Sequence, residues 1–117
     1  MPEIRDNLEA AFVADGSATA EQAQREREAR RQLVANLPGG SELRSFSCRA
    51  TFCRIETSHV DKAHFKQFVE ASFMNPRTSL WPAPFLAGLL GDEPGAGQPW
   101  LTVSFLAQEG HSLPMPE

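Results

Sequence analysis

The chain has 117 residues, a formal charge of −4 and a hydrophobic fraction of 41%, which suits one domain with a modest single core. Fifteen acids against 11 Lys and Arg argue against general nucleic-acid binding, because phosphate contacts need clustered cations. No run approaches the roughly 20 apolar residues of a membrane-spanning helix, and the start carries no apolar leader core.

Charge is uneven along the chain. Every Lys and Arg falls within residues 1–77, whereas residues 78–117 carry only Asp92, Glu93, Glu109 and Glu117. Ile4, Leu8, Ala11 and Phe12 share one face of a first helix, with Pro2, Glu3 and Asp6 suited to its opening turns. Asp15-Gly16-Ser17 breaks that pattern. The second helix opens at Thr19, whose spacing to Gln22 is that of a capping box, and runs to about Leu37, before Pro38-Gly39-Gly40. Its apolar set, Ala29, Leu33, Val34 and Leu37, comes late; the rest is charged. Such a helix is either solvated and anchored at one end, or projects to meet a partner.

Residues 42–59 predict a β-hairpin, with Cys53, Ile55 and Thr57 on one side of its second arm. Ser58 and Asp61 suit the cap of a helix over 60–74, in which Phe65, Phe68, Val69 and Phe73 recur at helical spacing and Asn75-Pro76 stops the pattern. The segment 76–99 is rich in Pro and Gly; within it 84–90 predicts a short helical turn and 92–99 a loop. A last strand over 100–107 aligns Leu101, Val103, Phe105 and Ala107 on one face, followed by a tail over 108–117.

Cys48 and Cys53 lie five positions apart. On one straight strand their α-carbons would be roughly 16 Å apart, beyond the span of about 4.4–6.8 Å that a disulfide needs. If Arg49-Ala50-Thr51-Phe52 turn the chain, the cysteines face each other across a hairpin and can bond, and a Cys48–Cys53 disulfide is the expected arrangement; the alternative is two reduced, half-buried thiols.

The run Ser47-Cys48-Arg49-Ala50-Thr51-Phe52-Cys53-Arg54-Ile55-Glu56 resembles a Cys-Arg-x-Thr-x-Cys-Arg segment of small uncharacterised bacterial exported or lipoprotein-like proteins. Val103-Ser104-Phe105-Leu106 and Gly110-His111-Ser112-Leu113-Pro114 are similar to a closing strand and tail in that group. The resemblance implies a paired-cysteine hairpin and a place in the cell envelope or periplasm, and brings no catalytic residues. That location follows if the sequence is a mature region. A chain that natively begins here, without a signal peptide or lipidation cysteine, belongs in the cytoplasm.

Three sharper chemistries compete with a purely structural reading. Cys48, Cys53, His59 and His64 imitate zinc-finger spacings, but only five residues separate Cys53 from His59, against about twelve in a finger. On a strand those two side chains lie roughly 20 Å apart. No metal or cofactor is expected. A hydrolase built on His59, Asp61 and His64 lacks a Gly-x-Ser-x-Gly nucleophile motif; capping accounts for Asp61, and ordinary surface positions account for both histidines. A thiol-redox enzyme using Cys48 and Cys53 lacks the C-x-x-C spacing at a helix start, although Arg49 and Arg54 adjoin the cysteines.

The remaining candidate is a contact surface. Leu80-Trp81-Pro82-Ala83-Pro84-Phe85-Leu86 gathers large apolar groups in a proline-punctuated segment. Either it folds over the core as a lid, or it binds a protein partner or a second copy through Trp81, Phe85 and Leu86. The charged 19–37 helix is the other candidate surface. The expected fold is α+β in a single domain. N-terminal helices precede a three-stranded antiparallel sheet, which packs on the 60–74 helix and the end of the second helix. Phe65, Phe68 and Val69 are expected to meet Ile55, Val103 and Phe105, with the first helix across the sheet edge or apart from it. The expected function is a non-enzymatic, envelope-associated interaction or accessory domain. The alternatives are the small hydrolase or redox enzyme, and a cytosolic regulatory binding protein with free thiols.

Overall fold

The computed structural model describes residues 2–114. Three α-helices, α1 (Pro2–Ala14), α2 (Ala20–Asn36) and α3 (Lys62–Val69), accompany four strands, β1 (Glu42–Cys48), β2 (Phe52–His59), β3 (Phe85–Leu89) and β4 (Trp100–Ala107). The strands form one antiparallel sheet in the order β1-β2-β4-β3. The fold is α+β, as expected, but with four strands in place of three. The additional strand is β3, where the sequence predicts a helical turn. A five-residue apolar run is too short for its period to separate helix from strand, and here the free side of β4 supplies the pairing.

Each boundary has a local cause. Thr19 and Gln22 close the capping box at the start of α2, with bonds of 3.1 and 2.8 Å. Asp61 caps α3 by accepting the His64 amide at 2.9 Å. The 60–74 helix does not stay α-helical throughout: Glu70–Met74 widen into a π-turn that the Asn75 amide closes on the Glu70 carbonyl at 2.7 Å. Between α2 and β1, Gly40 has φ 83°, and a Cβ there would meet Val60 Cγ1 at 2.7 Å, so this turn requires glycine.

The sheet is covered on both faces. One face carries α2, α3 and the π-turn over Leu33, Phe46, Cys53, Ile55, Phe68, Phe73 and Leu106. The other carries α1, whose Leu8 and Phe12 pack with Phe52, Val103 and Phe105. α1 therefore lies on a face of the sheet, and not across its edge or apart from it as the sequence predicts. Arg54 grips it, bonding Glu9 through both Nε and Nη2 and Glu56 through Nη1 at 3.1 Å.

The expected pairing of Phe65, Phe68 and Val69 with Ile55 is present, but Val103 and Phe105 point the other way. The register explains this. Ile55 faces Ser104 while Phe105 faces Arg54, and directly opposed residues share a face, so Ile55 and Phe105 lie on opposite faces.

Candidate functional site

The hairpin turn brings Cys48 and Cys53 to facing positions, with their sulfurs 2.01 Å apart. The Arg49 amide donates to the Phe52 carbonyl at 2.9 Å across Ala50-Thr51. The segment after α1 latches this turn. Asp15 Oδ2 accepts both the Thr51 amide at 3.0 Å and the Thr51 hydroxyl at 2.8 Å. Burial alone would raise the Asp15 pKa, but the Thr51 and Gly16 donors outweigh it and hold the carboxyl below its ordinary value. The described residues hold no group of three His, Cys, Asp or Glu placed to share a metal ion, and the two sulfurs are bonded to each other.

His59 is corrected from a surface position to a fully buried one. Its Nδ1 meets Ser41 Oγ at 2.7 Å, its Nε2 meets Thr57 Oγ1 at 2.8 Å, and Thr57 in turn meets Thr102 Oγ1 at 2.7 Å. Its ring lies 5.5 Å from that of Phe65 and 5.2 Å from that of Phe68. Burial, with a smaller contribution from nearby His64, pushes its pKa down to about 4. Asp61 and His64 instead pair with each other at 2.6 Å on the outside. The three residues thus divide into a core hydrogen-bond chain and a surface cap, and hydroxyls occupy both ring nitrogens of His59.

Trp81 is 5% exposed. Its indole N–H donates to the Ala107 carbonyl at 2.7 Å, and the Arg25 guanidinium lies 5.8 Å above its ring. The lid alternative describes this residue: the monomer itself uses the ring that the contact-patch alternative needs as an exposed anchor. Phe85, stacked on Phe73 at 5.1 Å, and Leu86 are half-buried members of β3.

The remaining feature is the contrast between the two sheet edges. In β1 the bonded pairs alternate back from Arg49–Phe52, so Phe46 and Cys48 direct their main-chain groups outward. Helix α2 takes one group of each residue: Arg30 Nη2 donates to the Phe46 carbonyl at 2.6 Å, and Glu26 Oε1 accepts the Cys48 amide at 2.7 Å. Gln22 reaches the Ala50 carbonyl at 2.9 Å, and a register shift between Leu43 and Ser45 distorts the far end of the strand. The sequence reads the charged stripe of α2 as solvated or as meeting a partner. Its inward members, Gln22, Glu26 and Arg30, instead cap a strand edge, a role legible only as a spacing of four residues beside Ala29 and Leu33.

Among the described residues the β3 edge has no such cover. The bonds from the Ala107 amide to the Pro84 carbonyl and from the Leu90 amide to the Leu101 carbonyl set the alternation. Leu86 and Gly88 therefore bond β4, while Phe85, Ala87 and Leu89 turn their main-chain groups outward. Among the described residues one side chain meets these groups: Arg5 Nη1 donates to the Leu89 carbonyl at 2.9 Å. β3 carries no charge, no proline and no bulge, the devices that usually blunt an exposed edge.

A crevice flanks the edge on each face. One of about 110 Å³ lies between α1 and the sheet, lined by Ile4, Arg5, Leu86, Gly88, Val103 and Phe105. The other, about 250 Å³, lies between the edge and the α3–π-turn unit, lined by Phe65, Lys66, Val69, Glu70, Met74 and Phe85. Neither is lined by His59, Asp61 or His64. No known protein family, curated protein or solved structure matches the chain.

Proposed function

We propose that this chain is a non-enzymatic protein-interaction domain of the cell envelope or periplasm, and that it accepts an added β-strand along β3. The observation that carries the reading is the inequality of the two edges. Side chains of α2 take the Phe46 carbonyl and the Cys48 amide of β1, whereas β3, with Arg5 on the Leu89 carbonyl, offers Phe85, Ala87 and the Leu89 amide to a partner backbone between two apolar crevices. Strand addition works through this division of labour: main-chain bonds supply affinity, and pockets for alternate side chains supply specificity. In this proposal Phe85 and Leu86 belong to the contact surface as strand residues on opposite faces, and Trp81 lies in the core on the Phe85 side. The bonded Cys48–Cys53 pair favours an oxidising compartment over the cytosol.

Panning a library of extended peptides against the folded protein tests this. Selected peptides should protect the Ala87 amide from hydrogen exchange and lose binding to Ala87→Pro, which removes an N–H that β4 does not use. Selected peptides that protect no β3 amide, or that bind Ala87→Pro unchanged, would count against the reading.

A further inference from the structure

We infer that the strand added at β3 is the β3 of a second copy, antiparallel, with Ala87 opposite Ala87 on a two-fold axis. The inference rests on the strand-accepting reading of this edge and goes beyond it by naming the occupant. Outward groups alternate as Phe85, Ala87 and Leu89, so an antiparallel copy centred on Ala87 matches each outward residue with another. Phe85 exchanges its N–H and C=O with Leu89 of the second copy, its N–H joining Arg5 Nη1 on the two lone pairs of the Leu89 carbonyl, and Ala87 pairs with its own equivalent. An isologous contact needs this self-complementarity.

Side-chain volumes fit the same register. Leu86 of one copy falls opposite Gly88 of the other, and a Cβ built on Gly88 meets nothing within 4 Å, so the larger group enters open space. On the opposite face, Ala87 opposite Ala87 leaves room at the axis between Phe85 and Leu89. The faces of the sheet continue across such an axis, so the groove carrying Val69 and Met74, the latter 61% exposed, meets its own counterpart. Charge agrees. β3 is uncharged, and its groove carries one cation and one anion, Lys66 and Glu70, which an antiparallel copy presents in reverse order. A strongly charged partner strand finds no matching field there.

Three variants test the register and the partner together. The native cysteines are bonded to each other, so Ala87→Cys introduces a single thiol, which the axis places about 5.5 Å, Cα to Cα, from its equivalent, within disulfide reach. We expect mild oxidation to convert Ala87→Cys to a covalent dimer, while Val13→Cys, at a position 75% exposed on α1, forms no covalent cross-link. Wild-type protein should sediment at twice the 12.9 kDa chain mass, and Ala87→Pro at half the wild-type mass with its circular dichroism retained. Ala87→Lys, which sets two ammonium groups face to face, should dissociate likewise. Wild-type protein that is monomeric at millimolar concentration, a dimer that survives Ala87→Pro, or cross-linking no faster at 87 than at 13 would overturn the inference. A monomeric wild type whose β3 nonetheless binds selected peptides would overturn the second copy alone and leave the interaction domain standing.

Discussion

His59 shows how one side chain couples the sheet to its covering helix. It is buried against Phe65 and Phe68 with both nitrogens bonded to hydroxyls, and its pKa falls to about 4. Because the folded value lies below the unfolded value of about 6.5, the unfolded chain binds the proton more readily. The stabilisation is therefore complete above pH 6.5 and is lost as pH falls toward 4. The loss reaches about 3 kcal/mol at pH 4, since each tenfold difference in proton affinity is worth about 1.4 kcal/mol. Asp15 and Asp61 are shifted down from 3.8, so their contributions fade only at still lower pH. Urea unfolding at pH 7 and pH 4.5 should show the drop in wild type and a much smaller one in His59→Gln. An equal drop in both would contradict the assignment to His59. The position was within reach of the sequence: the alternation through Cys53, Ile55 and Thr57, carried on by one more step, puts His59 inside. Trp81 was not, because a proline-punctuated run has no period to read. Phe68, fully buried between His59 and Phe73, was legible from helical spacing. Its replacement by Ala should cost about 3–5 kcal/mol in the same unfolding assay, and a change below about 1 kcal/mol would deny it a core role.

Among the elements, α2 and the hairpin stabilise each other. Closing so short a loop, the Cys48–Cys53 bond contributes about 2 kcal/mol through chain entropy. Cys48→Ser with Cys53→Ser should lower the melting temperature by a corresponding amount. Protein taken from its native compartment should show no reactive thiol when denatured without reductant, and two thiols per chain would favour the cytosolic alternative. Glu26→Ala and Arg30→Ala each strip a charged partner from an outward main-chain group of β1. Each should cost about 1–3 kcal/mol, where a merely solvated helix face would lose under about 0.5 kcal/mol. The limits of α1, α2, β1, β2 and β4 were legible because caps, glycine turns and alternation agree there. β3 was not, because a five-residue apolar run looks the same as a helical turn until β4 is in place beside it.

For the whole molecule, the decisive property is an asymmetry of edges in a sheet covered on both faces. The two-sided burial of β4 was hidden in the sequence. Its run Leu101 to Ala107 alternates Leu, Val, Phe and Ala with Thr, Ser and Leu, and only the register with β2 shows that Thr102, Ser104 and Leu106 face α2 and α3. The fold class was therefore legible, while the open strand edge at 85–89 depended on the strand order. Hydrogen exchange along β3, residue by residue, tests the account most directly. Leu86 and Gly88, bonded to β4, should exchange slowly at every protein concentration. Phe85, Ala87 and Leu89 should exchange quickly in dilute protein and slow sharply as concentration rises or a selected peptide is added. An Ala87 amide that is slow in the dilute monomer, or fast at every concentration and with every peptide, would contradict it.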